Sequence, residues 1–142
     1  MSESEQIEQM LDAYRRAVRA KDVDAFVALY DDDVRVFDTW GLWSYEGLAA
    51  WRAMATEWFG SLGDEQVGVD HSDVQTVIGD GVAVVHAYTR FAGLSAEGEE
   101  LRAMENRLTW ALRKTGDGAW KVVHEHTSAP VGFEDGKAIL SR

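Results

Sequence analysis

The 142 residues carry 14 basic against 25 acidic side chains, a formal charge of −11, with 46% apolar residues and no cysteine. A surplus of that sign excludes a nucleic-acid partner, whose phosphates call for Lys and Arg, and the missing cysteines exclude disulfides, thiol catalysis and zinc–thiolate sites. The length fits one domain over residues 1–142; the acidic start Met1-Ser2-Glu3-Ser4-Glu5 and the lack of any run near ~20 apolar residues predict a cytoplasmic protein with no membrane segment.

In chain order, Ile7, Met10, Leu11, Tyr14, Ala17 and Val18 recur at spacings of three and four, which predicts a first helix beginning near Ser4. Asp22 is placed to cap a second, short helix through Tyr30. Val34 and Val36 then alternate with Arg35 and Phe37, so the period turns from helical to extended, and a first strand ends near Asp38. Trp40 to Tyr45 reads as an aromatic loop or short strand around Gly41. A third helix follows Gly47, with Leu48, Trp51, Ala55, Trp58, Phe59 and Leu62 on its apolar face. Four strands complete the chain: Gln66 to Ile78, Val82 to Leu94, Leu101 to Lys114 and Trp120 to Val131. Turns fall at Gly79-Asp80-Gly81, Ala96-Glu97-Gly98 and Thr115-Gly116-Asp117-Gly118. Three helices and an antiparallel meander make an α+β fold, in which a curved sheet must wrap helices to bury its apolar face.

This order resembles the cone of the nuclear transport factor 2-like superfamily, and within it the SnoaL-like and ketosteroid isomerase branches. The segment from Tyr14 to Asp38 is similar to the opening of ketosteroid isomerase, which carries a tyrosine on the first helix and an aspartate closing the first strand. That resemblance implies Asp38 as a proton-shuttling base and Tyr14 as a donor to a developing enolate. Where the family has a second, protonated aspartate, Asn106 stands in this sequence, as an amide donor. The C-terminal run Trp120-Lys121-Val122-Val123-His124-Glu125-His126-Thr127-Ser128-Ala129-Pro130, with Ala87-Tyr88-Thr89-Arg90-Phe91, is similar to the association domain of calcium/calmodulin-dependent protein kinase II. There the resemblance implies an Arg90 that takes small carboxylates, with Thr127 in place of a second pocket arginine.

Strand alternation puts Val123, Glu125 and Thr127 on one face and His124, His126 and Ser128 on the other. With Thr127 toward the pocket, the two histidines face outward, as a polar dimer face or as two of the ligands a metal would need. The same parity gives His86, Tyr88 and Arg90 to the pocket, whereas alignment to ketosteroid isomerase favours the opposite face. Arg90 is then either paired to Glu125 or a ligand anchor. Asp38 is either a turn cap or a pocket carboxylate, and Tyr14 either core or pocket donor. Trp51 and Trp58 are expected to pack under the sheet, Trp40 to stand at a pocket mouth, and His71, between Asp70 and Asp73, to be exposed.

The functional expectation is a small-molecule pocket protein: an isomerase, cyclase or dehydratase using proton transfer on a carbonyl or cyclic substrate, without a cofactor or metal. Its partners would be a small apolar or carboxylate-bearing ligand and a second copy in a homodimer. The other reading is a non-catalytic ligand-binding or oligomerisation module.

Overall fold

The computed structural model describes all 142 residues. The chain begins with α1 (Glu3–Ala20), whose N-terminus is capped by the Ser2 side chain accepting from the Glu5 amide at 3.1 Å. Lys21 closes that helix in the left-handed region, at φ 56°, and sends its ammonium to the carbonyls of Gly63 and Glu65. Asp22 caps α2 (Val23–Val27) by accepting from the Ala25 amide at 3.0 Å. This helix is shorter than its sequence predicts. Tyr30 belongs instead to β1 (Tyr30–Phe37), whose first residue pairs with Val122, so the acidic triplet lies inside the strand.

After β2 (Tyr45–Glu46) and α3 (Leu48–Ser61) come β3 (Gln66–Ile78), β4 (Val82–Leu94), β5 (Glu100–Lys114) and β6 (Trp120–Ser128). These four run as an antiparallel meander, β1 joins β6 in parallel, and β2 lies outside β1. The sheet order is β2-β1-β6-β5-β4-β3, curved and unclosed. No helix is long and apolar enough to cross a membrane.

The core fills the space between the helices and the sheet's concave face. Ile7, Leu11, Tyr14 and Val18 project from α1, Phe26 from α2, and Trp51, Ala55 and Phe59 from α3; Val67, Val69, Val85, Trp110, Leu112 and Val122 meet them from the strands. Burial on β4 falls on Ala83, Val85, Ala87 and Thr89. The opposite set, His86, Tyr88 and Arg90, therefore stands on the outer face, which corrects the pocket placement expected for all three. The physical reason is that the small and apolar members of the alternation face the helices. No register break occurs between Val82 and Gly93 along β5 to reverse them.

Candidate functional site

A cavity of about 800 Å3 opens at one end of this core, between α3 and the sheet. Its walls are mostly apolar and aromatic: Phe26, Trp51, Met54, Trp58 and Leu62 from the helices, with Val67 and Phe91 from the sheet. Trp40 and Gly41 line it from the loop after β1, with Trp40 half-exposed to solvent. Gly41 takes φ +83°, and a Cβ there would fall 2.8 Å from the Tyr45 hydroxyl, so only glycine lets this loop sit so close to the cavity wall. The size suits one drug-sized ligand.

Besides Glu57, Ser61, Glu65 and Arg102, the polar lining includes five side chains from α1 and the sheet. Tyr14 comes from the middle of α1, Asp38 from the end of β1, Asn106 from β5, and Glu125 and Thr127 from the inner face of β6. The structure thus brings together seven of the residues singled out above: Tyr14, Asp38, Asn106, Trp40, Trp51, Glu125 and Thr127. Arg90 is not among them. It forms a bidentate pair with Glu100 at 2.8 and 2.9 Å on the outer face, rather than the expected pair with Glu125. Tyr88 is stacked under Arg142, 4.0 Å from ring centroid to guanidinium, and His86 is exposed. The one basic side chain lining the cavity, Arg102, is clasped by Glu65 at 2.8 and 3.2 Å.

Glu125 is 2% exposed, and both of its donors converge on one oxygen: Tyr30 donates to Oε1 at 2.6 Å and Trp110 Nε1–H at 2.8 Å. The other oxygen, Oε2, makes no protein hydrogen bond and is open to the cavity. Burial pushes this carboxyl up to about 7, against the pull of its two donors and with help from the Asp38 charge. Tyr14 likewise makes no protein hydrogen bond through its hydroxyl. Burial, then the charges of Glu125 and Asp38, hold its phenol well above the usual range, so it stays a neutral donor.

Asp38 is both a turn cap and a pocket carboxylate. The Trp40 amide donates to Oδ2 at 3.2 Å and the Thr127 hydroxyl donates to Oδ1 at 3.1 Å. Burial raises it, while the amides of Trp40 and Thr39 and the Thr127 hydroxyl pull back. Asn106 does not offer its amide freely to the cavity: Nδ2 donates to Thr39 Oγ1 at 3.3 Å, and Oδ1 is buried without a partner.

His71 corrects a further expectation. Val67, Val69 and His71 alternate inward on β3, so its ring packs 5.8 Å from that of Tyr14 and its Nδ1 lies 3.2 Å from Thr89 Oγ1. Burial, then the Arg15 charge, brings it down to about 4, so it is a neutral packing group at ordinary pH. His124 and His126 do face outward. They stack edge-on against Phe37, and His124 Nδ1 lies 2.7 Å from the Arg35 carbonyl.

A family model described as SnoaL-like domain matches residues 7–132. No curated protein sequence matches the chain. Among solved structures, an NTF2-like protein of unknown function from Pseudomonas putida KT2440 is 26% identical, with a TM-score of 0.86 over 100% of this chain and 98% of that one. A protein from Xanthomonas campestris, provisionally described as a calcium/calmodulin dependent protein kinase II association domain, is 16% identical with a TM-score of 0.76, covering 92% and 89% of the two chains. A nuclear transport factor 2-like superfamily protein from Salmonella enterica serovar Typhimurium is 15% identical with a TM-score of 0.73, over 95% and 96%.

Proposed function

The chain belongs to the SnoaL-like domain family, with the nuclear transport factor 2-like fold, and from that premise we propose that its cavity catalyses proton transfer on an uncharged, ring-bearing carbonyl compound. The observation that carries this is the convergence of Asp38, Tyr14 and Glu125 on one apolar cavity. Asp38 is the base. Burial raises its carboxyl above the ordinary carboxylate range while its three donors oppose the rise, and a raised carboxylate is a stronger base for a proton beside a carbonyl. Tyr14 donates to the carbonyl oxygen as negative charge develops there. Glu125, with Oε2 free, supplies or takes a second proton, so isomerisation, ring closure and dehydration all lie within reach of one set of groups. An uncharged ligand fits better than a carboxylate-bearing one, because the lining's only cation is already paired.

The test needs no knowledge of the natural substrate. Cyclic enones and β-hydroxy ketones are incubated with the protein in D2O, and exchange of the hydrogens beside the carbonyl is followed by NMR. Wild type should accelerate exchange in part of the panel, and Asp38→Asn should lower that rate by about 10²- to 10⁴-fold. Exchange by Asp38→Asn at the wild-type rate removes Asp38 as the base.

A second reading, assembly through the sheet, is favoured by one observation. Val77, Val82 and Val84 are exposed together at one end of the outer face, with Val77 directly opposite Val84. A homodimer through this face is compatible with a working cavity. Light scattering that finds larger assemblies would favour an organising module over an enzyme.

A further inference from the structure

The polar corner of the cavity contains a hydrogen-bond chain whose direction is fixed. Thr127 Oγ1 accepts from the Thr39 backbone amide at 2.8 Å, and that bond has only one possible sense. Its own proton is therefore available, and the neighbour at 3.1 Å, Asp38 Oδ1, can only accept when ionised. With the Thr127 proton committed, the 2.9 Å contact between the two hydroxyls must run from Thr39 to Thr127. Thr39 in turn can only accept from Asn106, which orients that amide with its nitrogen toward Thr39 at 3.3 Å. Every link points toward the carboxylate.

We propose that Thr127 and Thr39 are positioning residues for the cavity's base: the one-way chain Asn106→Thr39→Thr127→Asp38 holds Oδ1 as an acceptor and fixes the plane of the carboxylate. This rests on the reading of Asp38 as the working base. It assigns Asn106 the role of anchoring the chain's far end, in place of a donor to the ligand. The chain also sets where a proton goes. Reversing it would require both hydroxyls and the Asn106 amide to turn together, while the Thr39 amide still pins Thr127. A proton taken from a ligand therefore enters on Oδ2, and Thr127 continues to donate to Oδ1. Polarisation along such a chain makes the last hydroxyl a stronger donor than an isolated threonine would be.

The experiment is a carboxyl carbon-13 NMR titration of the full chain, without ligand, with Asp38→Asn identifying the Asp38 signal. Thr127→Val, close to isosteric, should move the Asp38 midpoint upward, Thr39→Val should move it upward by less, and Thr127→Ser should restore the wild-type curve. An unchanged midpoint in Thr127→Val, or a Ser variant that moves as far as the Val variant, overturns the proposal. If Thr127→Val does not fold, Thr39→Val decides alone, because its backbone amide still reaches Thr127: an upward move supports the chain and an unchanged midpoint overturns it. The exchange assay adds a second readout. Loss of the chain should displace the acidic limb of the pH–rate profile, whereas mere loosening of the fold would lower the rate equally at every pH and count against the proposal. Should wild type catalyse no exchange while the midpoints move as described, the chain stands and the catalytic reading falls.

Discussion

Tyr14 and Tyr30 both pack against the Phe26 ring, 5.3 and 5.4 Å from it centroid to centroid, and their hydroxyls do different work. Tyr30 is spent inside the protein, donating to Glu125 Oε1, whereas Tyr14 has no protein partner. Tyr30→Phe leaves a buried carboxylate one donor short and should cost about 1.5–3 kcal/mol in urea unfolding at pH 8, where Glu125 is charged. Tyr14→Phe should stay within about 0.5 kcal/mol of wild type in the same experiment, yet slow carbonyl exchange. Equal costs for the two variants would mean that Tyr14 is ordinary core. Tyr14 stood out through the resemblance to the ketosteroid isomerase opening, whereas its place on the apolar stripe left core and pocket equally open. The sequence hid Tyr30, which follows a helical stretch without a break in composition, and it hid Thr39, since a threonine beside a strand needs no special explanation.

At the level of the element, periodicity settles where a strand runs and not which of its two faces is inside. The bounds of β3 and β4 were readable from alternation and from Gly79-Asp80-Gly81, and both match. The face of β4 was not, because His86-Tyr88-Arg90 and Ala87-Thr89-Phe91 are both plausible linings until the helices opposite are in place. Helix packing selects the smaller set, since Thr89 must fit beside His71 under α1. Arg90 then has nowhere to be but outside. Arg90→Ala removes an exposed pair with Glu100 and should change stability by less than about 0.5 kcal/mol while leaving exchange rates as in wild type. A large rise in KM for the variant would place Arg90 at the ligand and reverse the face assigned here. For β6 alternation separated Glu125 and Thr127 from the two histidines but wrongly grouped Val123 with them: a register shift between Ala111 and Leu112 on β5 turns Val122 inward instead and leaves Val123 half-buried.

For the whole molecule, two buried groups set opposing dependences on pH. Glu125 is held at about 7 against an ordinary 4.5, so the folded state keeps a proton that the unfolded chain releases. Its charge costs nothing below pH 4.5 and about 3 kcal/mol above pH 7. His71 is held at about 4 against 6.5, so the folded state gives up a proton that the unfolded chain keeps. That costs about 3 kcal/mol below pH 4 and nothing above pH 6.5. As pH rises from 4 to 7 one cost fades while the other grows, and wild-type stability should be nearly level from this pair; the upward shift of Asp38 adds a small slope of the Glu125 sign. Removing either group exposes the other. Glu125→Gln, whose carbonyl can still accept from Tyr30 and Trp110, should become more stable by about 3 kcal/mol between pH 4 and 7, and His71→Asn should become less stable by a similar amount over the same range. Denaturant midpoints at those two pH values decide it. Parallel profiles for wild type and both variants would mean that neither group is buried in solution as it is here, and the burial that raises Asp38 would lose its support with them.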